Sequence, residues 1–319
     1  MTSFVLAFAA TLLERILGYP RPVLNAVGHP VMWMGKLIEV LEKRANNPAL
    51  SNLRRRRNGF VMLTILLATT AFVSLLIVWT LRDIPFGWAA QIFLASTLIA
   101  QKELGQAVKA VADGLRENLT QGRHAVSHIV GRDPDQLDED GVARAAVESL
   151  AENTSDGIIA PIFYLVLFGL PGVALYKAIN TADSMVGHKN EQFLDFGFAS
   201  AKLDDLANFI PARLTAAIFA LTARFTPGMD GEAAWRSARR DAKLHRSPNA
   251  GWPEAAMAGA LNIKLGGARD YDGKTLDLAT MGEGKDFIEA LDIDRALKLY
   301  GLSLTLTLAV LFVLALIFG

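Results

Sequence analysis

The chain has 319 residues, 52% of them hydrophobic, and its 32 basic and 32 acidic residues cancel to a formal charge of zero. This balance argues against a nucleic-acid-binding protein, which would carry a basic excess. The absence of cysteine excludes disulfides, thiolate metal sites and a cysteine nucleophile. Since a soluble domain of this length would be less apolar, we expect a protein embedded in membrane lipid.

The N-terminal segment, MTSFVLAFAATLLERILGYP, is apolar but does not resemble a signal peptide. It lacks a basic start, and its apolar stretch soon meets Glu14 and Arg15. We expect a short membrane or interfacial helix that stays in the mature chain. In the polar stretch that follows, GHPVMWMGK places His29 four residues before Trp33. A histidine beside a proline is more often a helix-start packing residue than a ligand.

Apolar runs predict about five membrane spans, give or take one. Residues 59–81 carry no charge and are long enough to cross a hydrocarbon core of about 30 Å. Glycine and proline interrupt 158–176, which is therefore either one kinked span or two half-helices. The remaining apolar runs are 84–100, 206–225 and 303–319.

The basic residues predict an orientation for these spans. Segment 18–58 is rich in arginine and lysine, so the positive-inside rule places it in the cytoplasm. The polar stretch 101–157 then lies in the cytoplasm too, and so does 226–300 if the interrupted run crosses completely, as we favour. Residues 1–319 are thus expected to form one all-α, multi-pass integral membrane bundle with cytoplasmic helical segments.

Four polar clusters carry candidate chemistry: GHPVMWMGK, 28–36, and three others, of which the first is ESLAENTSDG, 148–157. Glu148, Glu152 and Asp156 are spaced i, i+4, i+8, so a helix stacks their carboxylates on one face, where they repel unless a cation sits between them. The cluster lies at the mouth of the next apolar run, where carboxylates could hold Mg²⁺. The alternative is a solvated face on which Arg144 pairs with Glu148.

The second cluster is YKAINTADSMVGHKN, 176–190, at the end of an uncharged run. A helix aligns most of its polar side chains in one stripe, and lipid does not solvate such a stripe. The stripe therefore faces water, a partner helix or a ligand. Alternatively, the Lys177 side chain only extends to the membrane–water interface, and the other polar side chains cap the end of the helix. The stripe comprises Lys177, Asn180, Thr181, Ser184 and His188.

The third cluster is AKLDDLANFIPAR, 201–213. Asp204 and Asn208 are four residues apart, and Arg213 lies within an apolar run. A charge at the bilayer centre costs roughly 3 kcal/mol on insertion scales, so Arg213 needs a partner or a water-filled cavity. One interpretation is a pocket that binds an anion, and the other is a structural Asp–Arg ion pair.

No familiar nucleotide or hydrolase motif accompanies these clusters. The chain contains no GxxxxGK[ST], no GxGxxG followed by an acidic residue and no GxSxG. His124 and His128 have the spacing of a metal pair, but no third ligand or HExxH pattern accompanies them, so we predict no metal there. The residues suit a partly membrane-embedded site for a cation and an anionic substrate.

Together these stretches resemble the CobD/CbiB family of cobalamin biosynthesis. The resemblance extends from the first helix to about residue 300, and the block 144–216 makes it specific. Glu14-Arg15 and Gly18-Tyr19-Pro20 depart from the Asp-Arg and Gly-Asp-Pro common in the family, so we assign no catalytic carboxylate to that turn. The matching segments are ERILGYP, GHPVMWMGK, IVGRD, RAAVESLAENTSDGIIAPIFY, YKAINTADSMVGHKN, FASAKLDDLANFIPARLTA and RSPNAGWPEAAMAGALNIKLGG.

The resemblance implies an adenosylcobinamide-phosphate synthase of the bacterial inner membrane that depends on ATP and Mg²⁺. Such an enzyme joins a propionate of adenosylcobyric acid to the amine of (R)-1-amino-2-propanol O-phosphate or a related aminoalcohol phosphate. ATP converts the acid to an acyl phosphate, Mg²⁺ shields the phosphates, and a base takes the proton of the amine. The implied site faces the cytoplasm, and other nucleotide-loop assembly enzymes are implied partners.

The resemblance also implies roles for individual residues. Acidic residues and one lysine are expected to act in catalysis: Glu152, Asp156, Asp183, Asp205 and Lys177. Three of these are the expected Mg²⁺ ligands: Glu152, Asp156 and Asp183. Lys177, Lys202 and Arg213 are expected to neutralise the charge of the substrate phosphate or carboxylate. The amides Asn153, Asn180 and Asn208 orient the corrin amides, and the other expected substrate contacts are His29, Thr181, Ser184, Asp204, Arg246 and Asn249.

Two other functions are the alternatives. A broken run such as 158–176 beside charged residues has the form of a translocation path, which would suit a corrinoid transport protein. Against transport, the two halves of the chain show no inverted repeat. The second alternative is a non-catalytic membrane scaffold that gathers soluble enzymes of the pathway.

Overall fold

The computed structural model describes residues 1–20, 22, 25, 26, 28–131, 134–267, 269–271, 274–276 and 279–319, with 269–271 and 274–276 described as backbone only. The described residues are almost entirely helical, as predicted. In chain order the helices are α1 (Ser3–Leu17), α2 (Pro30–Ala45), α3 (Asn52–Leu81), α4 (Gly87–Ser96), α5 (Gln101–Glu117), α6 (Leu119–Val126), α7 (Glu139–Thr154), a π-helix (Ser155–Ile159), α8 (Ala160–Val186), α9 (Phe198–Ala207), α10 (Phe209–Arg224), α11 (Gly231–Asp241), a 3₁₀ turn (Ala242–Leu244), α12 (Gly251–Leu261) and α13 (Ala290–Phe318).

Four short strands add a small departure from the all-α prediction. They are β1 (Leu265–Gly266), β2 (Arg269–Tyr271), β3 (Lys274–Leu276) and β4 (Thr280–Met281). β1 pairs antiparallel with β4, so that Leu265 lies opposite Met281, and β2 pairs antiparallel with β3.

Three helical segments are long and apolar enough to cross a membrane: Asn52–Leu81, Glu139–Val186 and Ala290–Phe318. The bent pair α9 and α10 counts as a fourth, broken span if the two helices are taken together. These segments correspond to four of the five predicted apolar runs. Within the described ranges, the number of candidate spans therefore lies at the lower end of the prediction.

The fifth predicted run, 84–100, does not form a full-length helix. It contains only α4, with ten residues, and such a helix is about 15 Å long, half the thickness of the hydrocarbon core. The turn before it is tight, because a Cβ placed on Gly87 would lie 2.0 Å from the carbonyl oxygen of Leu81.

The chain divides into two compact units. Unit 1 comprises Met1–Ala100, Ala160–Asn208 and Leu311–Gly319. Its core joins α2, α3, α8 and α9 around buried side chains that include Ile38 and Phe196. Helix α3 approaches the backbone of Phe196 so closely that a Cβ on Gly59 would lie 1.8 Å from its carbonyl oxygen, so only glycine fits there.

The predicted interruption of the run 158–176 is confirmed within α8. Gly169 has a φ of 64° and a ψ of −154°, which breaks the helix into two segments, and Pro171 follows two residues later. Glycine adopts this backbone conformation without steric cost, and proline has no N–H to continue the helical hydrogen bonds. The second predicted cluster, 176–190, begins on the second helical segment.

Unit 2 comprises Gln101–Ile159 and Phe209–Val310. Helix α11 packs between α10 and α12, and a Cβ on Gly259 of α12 would lie 2.4 Å from the carbonyl oxygen of Ala233 on α11. The hydroxyl of Tyr300 on α13 donates to the carbonyl of Gln101 at the start of α5, with a distance of 2.6 Å. A break around Pro248 separates the 3₁₀ turn, which ends at Leu244, from α12, which begins at Gly251.

Candidate functional site

An acidic cluster in unit 1 joins the end of α8 to α9. Asp183 lies close enough to Asp205 for their charges to interact, and Asp204 interacts electrostatically with both. Asn180 also lies beside Asp204, and His188 lies beside Asp183. The structure thus brings residues of the second and third predicted clusters together.

A hydrogen-bond chain holds one of these carboxylates in place. The hydroxyl of Tyr176 donates to Asn208 Oδ1 over 2.8 Å, and Asn208 Nδ2 donates to Asp204 Oδ2 over 2.9 Å. Asn208 is 1% exposed and Asp204 9% exposed. The other carboxylate oxygen, Asp204 Oδ1, is buried and accepts no hydrogen bond from the part of the chain that the structure describes. The side chain of Asn180 also contributes a hydrogen-bonding interaction to this carboxylate, so Oδ1 lacks a well-aligned donor although a polar neighbour is present.

This arrangement fits a cation. Carboxylates grouped beside a buried oxygen that lacks a well-aligned donor repel one another unless a positive charge lies between them, and Mg²⁺ prefers oxygen ligands. Among the described residues, no group of three or more histidine, cysteine, aspartate or glutamate side chains could hold a metal alone. Mg²⁺ in phosphate-using enzymes commonly takes one or two carboxylates and completes its shell with phosphate and water. A substrate ammonium group suits the same oxygens.

Other predicted residues of unit 1 are engaged within the protein. The hydroxyls of Thr181 and Ser184 donate to the carbonyls of Lys177 and Asn180 in the preceding turn, at 2.6 and 2.9 Å. The stripe is therefore less available to a ligand than its spacing suggests. Lys177 is half-buried, and Ser184 is exposed.

Lys202 and His29 also have structural partners. Lys202 Nζ lies 3.1 Å from Asp205 Oδ2 in a largely exposed ion pair, so it neutralises a carboxylate of its own helix. His29 caps α2, because its Nδ1 accepts a hydrogen bond from the N–H of Val31 at 3.2 Å. Its ring contacts that of Tyr19 edge-on. His29 thus packs at the start of a helix, as expected for a histidine beside a proline. A contact of His29 with substrate stays a prediction.

One member of the acidic stack predicted in unit 2 is bound within the protein, and the common face of Glu152 and Asp156 stays a prediction. Glu148 is 5% exposed, and its Oε1 accepts a hydrogen bond from the N–H of Gly266 at 2.8 Å, so it anchors β1. Helix α7 ends at Thr154 and the π-helix begins at Ser155, so Glu152 lies on α7 and Asp156 lies in the π-helical turn. π-Helical turns of this kind are frequent at functional sites. Exposed Asn153 donates to Ser149 O at 2.9 Å.

Arg213 is stabilised by an amide and aromatic rings instead of the structural Asp–Arg pair considered from sequence. Its Nη1 donates to the carbonyl of Phe209 at 2.7 Å and reaches Asn249 Oδ1 at 3.3 Å. The guanidinium carbon lies 3.6 Å from the centroid of the Phe209 ring and 4.7 Å from that of Trp252. Cation–π contacts stabilise the charge while leaving it open to an anion. Arg246 is exposed.

Two tyrosines of unit 1 were missed by the sequence analysis. The rings of Tyr164 and Tyr176 stack with centroids 5.1 Å apart and an angle of 12°. Tyr164 donates to the carbonyl of Ala207 at 3.0 Å. The sequence could have indicated Tyr176 as a residue of the site, because it lies four residues before Asn180 and therefore on the same helix face.

We expect Tyr176→Phe to lower turnover about tenfold and the free energy of unfolding by about 1–3 kcal/mol, because it leaves the buried Asn208 Oδ1 without a donor. Tyr164→Phe is the matched control, since it removes a hydroxyl from the stacked partner without touching Asn208. Turnover and thermal unfolding of both variants check this. Equal effects of the two changes would contradict a special role for the Tyr176–Asn208 bond.

The expected convergence of Glu152 with Lys177 and Asp205 concerns residues of different units, and it stays a prediction. Within each unit, the structure groups Asp183, Asp204 and Asp205, and separately Arg213 with Asn249.

Comparisons with known proteins agree on one family. A family model described as CobD/Cbib protein matches residues 7–300. The chain is 48% identical to "Cobalamin biosynthesis protein CobD" of Brucella suis over 301 residues, which cover 93% of this chain and 92% of the relative. It is 45% identical to proteins of the same name from Sinorhizobium fredii, with 93% and 92% covered, and Rhodobacter capsulatus, with 90% of each covered. No solved structure matches the chain.

Proposed function

The chain belongs to the CobD/CbiB family of cobalamin biosynthesis, and from this premise we propose that it is an adenosylcobinamide-phosphate synthase. It joins adenosylcobyric acid to (R)-1-amino-2-propanol O-phosphate, or a related aminoalcohol phosphate, at the expense of ATP. The site belongs to a multi-pass protein of the bacterial cytoplasmic membrane and faces the cytoplasm. The observation that carries the proposal is the buried Asp204 carboxylate, whose Oδ1 lacks a well-aligned donor, beside Asp183.

The proposed reaction has two covalent steps. A propionate oxygen of the corrinoid attacks the γ-phosphorus of ATP, the bond to the β-phosphate oxygen breaks, and ADP leaves. The amine nitrogen then attacks the carbonyl carbon of the acyl phosphate, a C–N bond forms, and inorganic phosphate departs with the former carboxylate oxygen. The proton lost from the nitrogen needs a base, and a carboxylate in the Asp183–Asp204–Asp205 cluster is suited to accept it.

The same cluster explains how a charged amine is held before reaction. An aminoalcohol phosphate carries an ammonium group and a phosphate, so it needs acidic and basic partners a few ångströms apart. Asp183 and Asp204 suit the ammonium, and Lys177 at the start of the stripe suits the phosphate. Asn180 suits the amide groups of the corrin. Arg213 and Asn249 of unit 2 remain candidates for a second anionic group, the carboxylate or the phosphates of ATP.

Bound Mg²⁺ supplies charge neutralisation to the ATP phosphates. Its proposed protein ligands in unit 1 are Asp183 and the neighbouring Asp204. Glu152 and Asp156, the other ligands expected from the family resemblance, belong to unit 2, and their part in the same site stays a prediction. The oxygen chemistry of this set fits the ion.

The assay that tests this function combines purified protein in detergent with adenosylcobyric acid, aminopropanol phosphate, ATP and Mg²⁺. Mass spectrometry of the corrinoid is expected to detect adenosylcobinamide phosphate only when all four components are present. We expect Asp183→Ala to lower turnover at least about 100-fold, as loss of an acid–base group does. Lys177→Ala is expected to raise the KM for the amine phosphate about tenfold.

Lys43→Ala is the control, because Lys43 is exposed and pairs with the surface residue Glu39 on its own helix, α2. Unchanged turnover in both Asp183→Ala and Lys177→Ala would overturn the residue assignment.

The break at Gly169 is the observation that favours the transport alternative. Counterflow of labelled cobinamide in proteoliposomes without ATP, together with no ligation product, would replace the ligase proposal with transport. Absence of both activities would favour a scaffold.

A further inference from the structure

A groove in unit 2 lies between α10 and α11 and has a volume of about 730 Å³. Its α10 side carries the apolar residues Ala217, Ala220 and Leu221 and ends at Arg224, whereas its α11 side carries Trp235, Arg236 and Arg239. None of these residues belongs to the candidate functional site. The groove is therefore a separate feature, with an apolar wall facing a basic one.

Two of the four arginines that line the groove are committed to carboxylates. Arg240 is held by Asp241, at 2.6 and 2.7 Å, and by Glu283. The hydrogen bond with Asp241 raises the pKa of Arg240 above its usual range. Arg224 lies 3.4 Å from Glu232. Both pairs offset charge within the protein.

The other two arginines have no such partner. Arg236 and Arg239 are exposed, and neither makes a hydrogen bond or ion pair with any residue that the structure describes. They lie three residues apart on α11 and are therefore neighbours on its surface. The opposite face of this helix, with Ala234 and Ala238, is buried. Two adjacent guanidinium groups can bind one phosphate through several charge-assisted hydrogen bonds.

The apolar wall continues beyond the groove. Leu214 and Leu221 are exposed along one side of α10, and Phe225, the residue after the helix ends, is 77% exposed. Helix α10 belongs to the bent pair that counts as a candidate span. An exposed apolar face on such a helix suits contact with acyl chains. Trp235, 40% exposed at the edge of the groove, is of the residue type enriched at the membrane–water interface.

We propose that this groove binds an anionic glycerophospholipid, with its phosphate on Arg236 and Arg239 and an acyl chain along Ala217 and Leu221. The charge of the basic wall complements the phosphate, and the apolar wall complements the chain. A free nucleotide or phosphate matches only the basic wall and gains nothing from the apolar one. The lipid thereby anchors α11 at the surface of the membrane.

Native mass spectrometry of the full-length protein in detergent tests this proposal, with phosphatidylglycerol and phosphatidylcholine as probes. We expect the unaltered protein to prefer phosphatidylglycerol. The double variant Arg236→Gln/Arg239→Gln is expected to bind phosphatidylglycerol about tenfold more weakly. The control Lys109→Gln/Arg116→Gln on α5 removes the same charge elsewhere in unit 2 and is expected to retain the preference.

A second variant examines the apolar wall. Ala217→Trp fills the groove while leaving both arginines in place, so we expect weaker binding of phosphatidylglycerol and unchanged binding of inorganic phosphate. Thermal unfolding confirms that each variant is folded. If the α5 control weakened phosphatidylglycerol binding equally, the proposal would be overturned, because the loss would then follow from the lower net charge and not from the groove. Displacement of the lipid by ATP at equal affinity, with no effect of Ala217→Trp, would overturn it in favour of a free-anion site.

Discussion

Replacing Asp204 by asparagine is expected to lower turnover at least about 100-fold while the protein stays folded. Asparagine has the same shape, and its carbonyl oxygen can still accept the hydrogen bond from Asn208. The change removes a negative charge that is 9% exposed and lies beside Asp183. Loss of a group that accepts a proton or holds a cation commonly costs 10² to 10⁴ in rate.

The stability of the same variant is expected to be unchanged or higher. A buried charge without a full set of partners costs free energy, so its removal relieves that cost and the repulsion from Asp183. Asp83→Asn is the matched control, since Asp83 is exposed in the link before α4. Product formation and thermal unfolding in detergent provide the two measurements. Turnover of Asp204→Asn within about threefold of the parent would remove Asp204 from the site.

Gly197→Ala is expected to lower both stability and activity. A Cβ at this position would lie 1.6 Å from the carbonyl oxygen of Val186 and 2.6 Å from its carbonyl carbon. Both atoms belong to the backbone of Val186, so the clash cannot be relieved by a change of side-chain rotamer. Gly197 is the residue before α9, and Val186 ends α8. The added methyl group must therefore separate the two helices that carry Asp204 and Asp183.

We expect this overpacking to lower the free energy of unfolding by about 3 kcal/mol and to lower turnover in proportion to the displacement of Asp204. Gly301→Ala is the control, because a Cβ there meets no atom within 4 Å. It lies within α13, where alanine favours helix more than glycine does, so the control should be neutral or stabilising. Thermal unfolding of both variants distinguishes a specific close contact from a general intolerance of alanine. Equal stability of the two would contradict the contact.

Several features of the fold could be predicted because their causes are local. The uncharged run 59–81 predicts a helix long enough to span a membrane, and α3 is a helix of that length and hydropathy. Gly169 and Pro171 break the next apolar run because their backbone preferences act on their own residues. The motifs between 144 and 216 identified the family for a related reason, since residue type and spacing are read directly from the chain.

The candidate site was predicted in its residues but not in its arrangement. Glu148 is bound to the backbone of Gly266, 118 residues away. Arg213 meets Asn249 across 36 residues. Such partners depend on which helix faces meet, and a periodic pattern describes only one helix at a time.

The amino-acid order alone thus established a helical membrane protein, the break in α8 and the family. The packing of α8 on α9 established that Asp204 is buried with one oxygen that lacks a well-aligned donor, and that Tyr176 and Asn208 hold it. The reason for this division is physical. Helix formation and hydropathy are sums over neighbouring residues, whereas burial of a carboxylate depends on what distant parts of the chain bring against it.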